Sequence, residues 1–181
     1  MKNIYIVRHC KAEGQAADAP LTALGVIQSK ELAQFLSDKN IEHIVTSPYE
    51  RAVQTIQPFA DEQGIEMALD NRLEERVLSS ETRSDWMEML RKTYDDLELC
   101  YEGGESSNMA MVRAVAVVED VLKRPGRNSV IVTHGNLMSL LLKHFDERIG
   151  FEEWKALTNP DVYELRIENR TTSIERVWLI D

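Results

Sequence analysis

The sequence predicts an α/β fold of three layers, α/β/α, with a mostly parallel central sheet. Short β-prone apolar runs, Ile4-Tyr5-Ile6-Val7 and Val130-Ile131-Val132 above all, read as buried strands. Segments of helical periodicity stand between such runs, which implies parallel pairing through βαβ units. Two strand-like runs then follow one another, Val162 to Ile167 and Ser173 to Leu179, and offer an antiparallel edge.

The elements follow in order. Ile4 to Val7 is the first strand, ending on Arg8-His9, and residues 10 to 21, with Gly14 and Pro20, read as a loop. Thr22 caps a helix to about Ser37, with Val26, Ser29, Ala33 and Leu36 at helical spacing and Leu32 and Phe35 widening the stripe. His43 to Thr46 is the second strand. Ser47-Pro48-Tyr49-Glu50 then reads as a capping box with proline at the first helical position. That helix runs to about Gln63, kinked or interrupted near Pro58, and Gly64 ends it. Ile65 to Leu69 is a third strand. Residues 72 to 105 are the least regular, with a helix at Asp85 to Tyr94 and a break at Gly103-Gly104. Ser106 or Ser107 opens a long helix in which Met111, Val115, Val118 and Leu122 form the stripe, and Pro125-Gly126 closes it. The strand at 129 to 133 leads into a helix from Asn136 to about Phe145, and Arg170-Thr171-Thr172 turns between the last two strands.

At 181 residues the chain is expected to be one domain, burying roughly 70% of the surface its unfolded form exposes. A charge of −10 argues against nucleic acid and anionic membranes as partners, so an anionic substrate needs positive charge gathered locally. No run approaches a membrane span, and Met1-Lys2-Asn3 followed by four apolar residues is too short for a signal peptide, so the expected location is cytoplasmic. Cys10 and Cys100 lack metal-ligand spacing and read as free thiols. The sequence does not set an oligomeric state.

Chemistry concentrates at two strand exits, Arg8-His9 and Thr133-His134-Gly135. Ligands of open α/β sheets bind outside the carboxyl ends of the strands, so both histidines point into one crevice. His43, opening a strand, and His144, in mid-helix, read as structural histidines. Gly135 permits close backbone approach beside His134. Arg51, in the first turn of a helix that follows a strand exit, completes an anion site with the free backbone N–H groups there. Glu74 or Glu75, after the third strand, can bring a carboxyl to the same rim as the missing proton donor.

Three rival readings lack support. His9-Cys10 fits a cysteine-phosphatase loop only if glycine and arginine follow the cysteine by three and six residues, and those positions hold Glu13 and Ala16. Two histidines and a glutamate could ligate a metal, but two arginines beside them would repel a cation. Gly103-Gly104-Glu105-Ser106 is too short for a nucleotide-binding loop.

With Arg8-His9, Arg51, a Leu-x-Glu ending at Glu75, and His134-Gly135 in this order, the chain resembles the histidine phosphatase superfamily, its small phosphatase branch in particular. Pro20-Leu21-Thr22-x-x-Gly25-x-x-Gln28, Thr46-Ser47-Pro48-x-x-Arg51-Ala52-x-x-Thr55 and Gly104-Glu105-Ser106 extend the resemblance over residues 4 to 137. It implies a phosphoglycerate mutase-like fold, a small phosphorylated substrate, and neither metal nor other cofactor. It also implies that His9 is the nucleophile and forms a phosphohistidine, while Arg8, Arg51 and His134 bind the transferring group. Their positive field would keep His9 neutral. Glu75 would protonate the leaving oxygen and then activate water. Gln15 falls where an amide often contacts the phosphate, and Thr22 and Gly135 join the expected substrate-binding set.

The family usually has glycine after the nucleophile, where this chain has Cys10; that side chain must either narrow the pocket or lie beneath it. Arg8 nearby would depress its thiol pKa and make the enzyme oxidation-sensitive. A metal-independent phosphomonoesterase is the favoured reading. A phosphoglycerate mutase is the alternative, although the family's mutases are longer, with a larger insertion and tail. A phospho-ligand-binding module without turnover is the third. Specificity is expected in residues 76 to 105, with Trp86, Met87, Leu90 and Tyr94 roofing the pocket. Arg76, Arg83, Arg91 and Lys92 either meet a second anionic group or form a solvated basic face.

Overall fold

β1 (Lys2–Arg8), β2 (His43–Thr46), β3 (Met67–Leu69) and β4 (Asn128–Thr133) pair in parallel, while β5 (Asp161–Glu168) runs antiparallel to β1 and β6 (Thr171–Arg176) antiparallel to β5. The order across this single mixed sheet is β3-β2-β4-β1-β5-β6. The computed structural model describes residues 1–178, so the predicted end of the last strand at Leu179 lies outside them.

Alternation along the central strands makes the three layers. On β1, Tyr5 and Val7 join one core cluster and Ile4 and Ile6 the other. The first cluster is covered by α1 (Ala23–Leu36) and α2 (Glu50–Gln63), through Leu32, Leu36, Ile56 and Phe59. The second is covered by α3 (Trp86–Asp95), α4 (Ser107–Lys123) and α5 (Gly135–Phe145), through Leu90, Val117, Leu137 and Leu141. Strands sealed on both faces read as continuous apolar runs, which is why β1 and β4 stand out in the sequence. Among the described residues no helix is long and apolar enough to cross a membrane.

Local expectations shift where tertiary contacts decide. Thr22 caps α1, but Val26 is exposed and the buried face is Gly25, Ser29, Leu32, Ala33 and Leu36. Gly25 allows that rotation, because a Cβ there would stand 2.1 Å from the carbonyl oxygen of Lys11. The predicted capping box does not form: α2 starts at Glu50, its N-cap is Tyr49, and no side chain caps it. Helix α2 also continues through Pro58. Burial of Ile56 and Phe59 on either side offsets the roughly 3 kcal/mol that an interior proline costs. On α4 the buried face is Ala110, Ala114, Val117, Val118 and Val121; Met111, Val115 and Leu122 only flank it. The β5–β6 turn is Asn169-Arg170, both at positive φ (49° and 68°), one residue earlier than expected, as a two-residue hairpin turn requires. A short helix, α6 (Phe151–Lys155), had no forecast.

Candidate active site

Register assembles the site. Arg8 is the partner of Thr133 across β1 and β4, so the next residues, His9 and His134, leave the sheet side by side. Their rings stand 5.1 Å apart, edge to face. Thr46 pairs with Val132, which brings Ser47 to the same rim.

The Nδ1 of His9 lies 2.7 Å from the carbonyl oxygen of Cys10. A carbonyl only accepts, so Nδ1 carries the proton and Nε2 keeps its lone pair. That lone pair accepts from Nε of Arg51 at 3.3 Å. Burial, reinforced by the charges of Arg51 and Arg8, pulls the pKa of His9 down to about 4, so the ring is neutral at pH 7. The turn after it is pinned by Thr55, whose hydroxyl accepts from the Cys10 N–H (2.8 Å) and donates to the Arg51 carbonyl (2.7 Å). Asn159 fixes the other side by donating to the His9 carbonyl (2.9 Å).

His134 pairs through Nε2 with the Ser47 hydroxyl (2.8 Å), while its buried Nδ1 has no partner. Burial first, then the neighbouring His9 and arginines, hold its pKa well below the usual value. Arg51 is 1% exposed. It donates through Nη1 to the carbonyls of Gln15 (3.2 Å) and Ala16 (2.8 Å), and its guanidinium lies over the Tyr49 ring. Arg8 is held by a bond from Nη1 to the Leu157 carbonyl (3.0 Å), and its buried Nε has no partner. Burial lowers both arginine pKa values and the carboxylate of Glu75 opposes the shift, so both remain cations. Three buried side-chain polar atoms lack a partner among the described residues, and two of them, Arg8 Nε and His134 Nδ1, belong to this site. Unfilled donors at a cationic centre suit a tetrahedral oxyanion.

Of the two candidate carboxyls the structure brings Glu75. Its oxygens accept the N–H groups of Asn136 (3.1 Å) and Leu137 (2.9 Å) at the start of α5, and that of Arg76 (2.8 Å). The segment carrying it is tied to α4 by Arg113, which donates to the carbonyls of Arg72 (2.7 Å) and Glu74 (2.8 Å) and pairs with Glu105 at 2.8 Å. Glu75 and Arg8 border a cavity of about 490 Å³ whose walls include Leu78, Trp86, Leu90 and Trp154. Among the described residues no three His, Cys, Asp or Glu side chains converge as metal ligands.

The remaining expectations divide. Gln15 lies on the cavity wall. Thr22 does not reach the site: its hydroxyl caps α1 by accepting from Gly25 and donates to the Lys11 carbonyl, while Gln28 accepts from the Lys11 N–H. Thr22 and Gln28 thus anchor the loop that follows His9. Gly135 makes room for Arg8. Cys10 lies beneath the pocket, 0% exposed. Its thiol pKa is pushed up to about 12, because burial outweighs the hydrogen bond to Thr55, which reverses the expected depression. Trp86 and Leu90 line the cavity, Met87 is exposed, and Tyr94 is buried with its hydroxyl on Ser139 and Asn136. Arg76 is buried in bonds to Glu105, Thr93 and Asn136; Arg83 pairs with Asp85, and Arg91 with Glu88 and Asp95. His43 binds the Pro125 carbonyl and His144 is exposed, and neither lines the cavity. Sequence reasoning missed Asn136, Asn159 and Trp154. Asn136 directly follows His134-Gly135 and was within reach, whereas Asn159 and Trp154 sit in a segment without periodicity.

Comparison with known proteins agrees with this geometry. A family model for the histidine phosphatase superfamily (branch 1) matches residues 4–179. A probable phosphoglycerate mutase GpmB of Enterobacter sp. (strain 638) is 30% identical, over 98% of this chain and 85% of the relative. Mycobacterial glucosyl-3-phosphoglycerate phosphatase complexed with VO3 superposes with a TM-score of 0.79 at 22% identity, covering 97% of this chain and 98% of the other. A phosphoserine phosphatase mutant from Entamoeba histolytica in complex with phosphoserine gives 0.79 at 19% identity, with 96% and 95% covered. The chain belongs to the histidine phosphatase superfamily.

Proposed function

We propose that the protein is a metal-independent phosphomonoesterase that hydrolyses a small phosphorylated metabolite through a phosphohistidine on His9. One observation carries the reading: His9 is neutral, its proton committed to the Cys10 carbonyl, and its unprotonated Nε2 accepts from the Arg51 guanidinium. An imidazole so held is a ready nucleophile, and the cation beside it marks where phosphoryl oxygens gather.

In the first step Nε2 attacks phosphorus and the ester P–O bond breaks. Glu75 gives its proton to the departing alkoxide, and the phosphoryl group stays on Nε2. Arg51 turns its Nε–H from the ring to an equatorial oxygen, Arg8 and His134 supply further donors, and Nδ1–H to the Cys10 carbonyl spreads the charge of the new phosphohistidine. In the second step water attacks phosphorus, Glu75 takes its proton, and the P–N bond returns its electrons to Nε2. Such positioned acid–base groups contribute about 10²–10⁴-fold. Residues 1 to 181 act as one catalytic domain in this reading, with 76 to 105 the substrate-selecting insertion.

Names of related proteins support both hydrolysis and mutase chemistry. The test is hydrolysis of p-nitrophenyl phosphate in EDTA by wild type and His9→Ala, with acid-labile phosphate trapped on the wild type. Undiminished turnover in His9→Ala defeats the mechanism. Interconversion of 3- and 2-phosphoglycerate primed by 2,3-bisphosphoglycerate, faster than phosphate release, decides for the mutase.

A further inference from the structure

The cavity beyond the phosphate position says what kind of alcohol leaves. Its walls include Leu78, Leu90, Trp86 and Trp154. The two indoles stand at 88° with centroids 6.4 Å apart, and Trp86 is 45% exposed although large and apolar. Trp154 stacks on Phe151 (5.4 Å), and Phe151 meets Tyr94 (6.0 Å), so an aromatic chain ties the roof helix α3 to α6. These walls are braced from both sides and close around a volume that fits an ordinary small-molecule site.

Charge points the same way. Among the described residues Arg8 and Arg76 are the only cations lining the cavity. Arg8 belongs to the phosphate position, and Arg76, 6% exposed, has its donors on Glu105, Thr93 and Asn136. Among the described residues no free cation remains there for a carboxylate or second phosphate on the leaving group. Residues 76 to 105 carry eight Asp and Glu against four Arg and Lys, so the segment adds no net positive charge.

From this we infer that the preferred substrate is the phosphate monoester of an uncharged, flat, apolar alcohol, an aryl or fused-ring alcohol rather than a hydroxy acid, with Trp86 and Trp154 as the residues that select it. The inference rests on the phosphatase reading above. It places phosphoglycerate and phosphoserine outside the preferred set.

The measurement is kcat/KM for 1-naphthyl phosphate, methyl phosphate, 3-phosphoglycerate and phosphoserine. Wild type should favour the naphthyl ester over either carboxylate by about a hundredfold or more, since a partly buried anion without a cationic partner is costly. In Trp86→Ala and Trp154→Ala the naphthyl-to-methyl ratio should fall about tenfold each, the worth of one aromatic contact surface. A preference for 3-phosphoglycerate or phosphoserine, or a ratio unmoved by both variants, overturns the inference. If no ester turns over, the catalytic reading fails separately, and calorimetry with benzylphosphonate and phosphonoacetate decides. Tighter benzylphosphonate binding sustains the apolar subsite; equal or tighter phosphonoacetate binding rejects it.

Discussion

A Cβ built on Gly135 would stand 2.8 Å from Nε of Arg8, 2.9 Å from Cζ and 3.0 Å from Nη2. The first residue of α5 is therefore a glycine because the guanidinium lies against its backbone. In Gly135→Ala only the far end of a flexible side chain must move, so the fold survives. Alanine suits a helix better than glycine by about 0.5–1 kcal/mol. The melting temperature should hold or rise, while kcat/KM falls about tenfold or more through displacement of Arg8, the proposed phosphate ligand. A variant that loses stability and activity together would show that Gly135 serves packing instead.

The histidines make both activity and stability depend on pH in a defined window. His9 has its folded pKa lowered from 6.5 to about 4, and that of His134 is lowered as well. Between these values the unfolded chain binds the proton more readily than the folded one. The stabilising contribution is therefore complete above pH 6.5 and drains away as pH falls toward 4. For His9 alone the difference is roughly 3 kcal/mol. Urea midpoints should fall steadily from pH 6.5 to 4.5, and His9→Asn should flatten that slope. The acid limb of kcat/KM assigned to His9 should lie near pH 4; a limb at 6.5 would falsify the buried neutral nucleophile.

What could be read from the sequence, and what could not, follows from where tertiary contacts override local rules. The strand exits were legible because β1 and β4 are sealed on both faces and end abruptly on charged residues. Ser47 misled, since its hydroxyl, an apparent helix cap, is spent on His134. Local rules give way at functional sites for this reason. Val118 is buried on α4 as expected, but Met111, Val115 and Leu122 lie one position off the buried face, where Ala110 and Ala114 are small and easily passed over. α6 has five residues, too few to show a period, yet it supplies Trp154 to the cavity.

Cys10 illustrates how burial can outweigh a favourable hydrogen bond. The sequence sets it beside Arg8, but at 0% exposure its thiol is pushed up to about 12 and does not ionise near neutrality. Cys100 is exposed. Iodoacetamide at pH 8 should alkylate one thiol per folded chain, at Cys100, and two after denaturation, read by peptide mass spectrometry. Millimolar peroxide should leave activity intact in the same interval. Rapid alkylation of Cys10 in the folded protein would restore the oxidation-sensitive reading.

Glu75 and Arg113 form a working pair although their side chains do not bond. Arg113 grips the carbonyls of Arg72 and Glu74, so it fixes the backbone from which Glu75 projects toward α5. A proton donor matters most when the leaving alkoxide is poor, and little when it is p-nitrophenolate. Glu75→Gln should therefore lower kcat for an alkyl phosphate by about 10²-fold or more, with a much smaller loss on p-nitrophenyl phosphate. Arg113→Ala should reproduce that leaving-group dependence at roughly a tenth of the size, because it loosens the proposed acid without removing it. Its pair with Glu105 is partly exposed and adds little to stability itself. Equal losses on both esters in Arg113→Ala would mean that the arginine supports the site as a whole. A loss confined to the alkyl ester would assign its effect to Glu75.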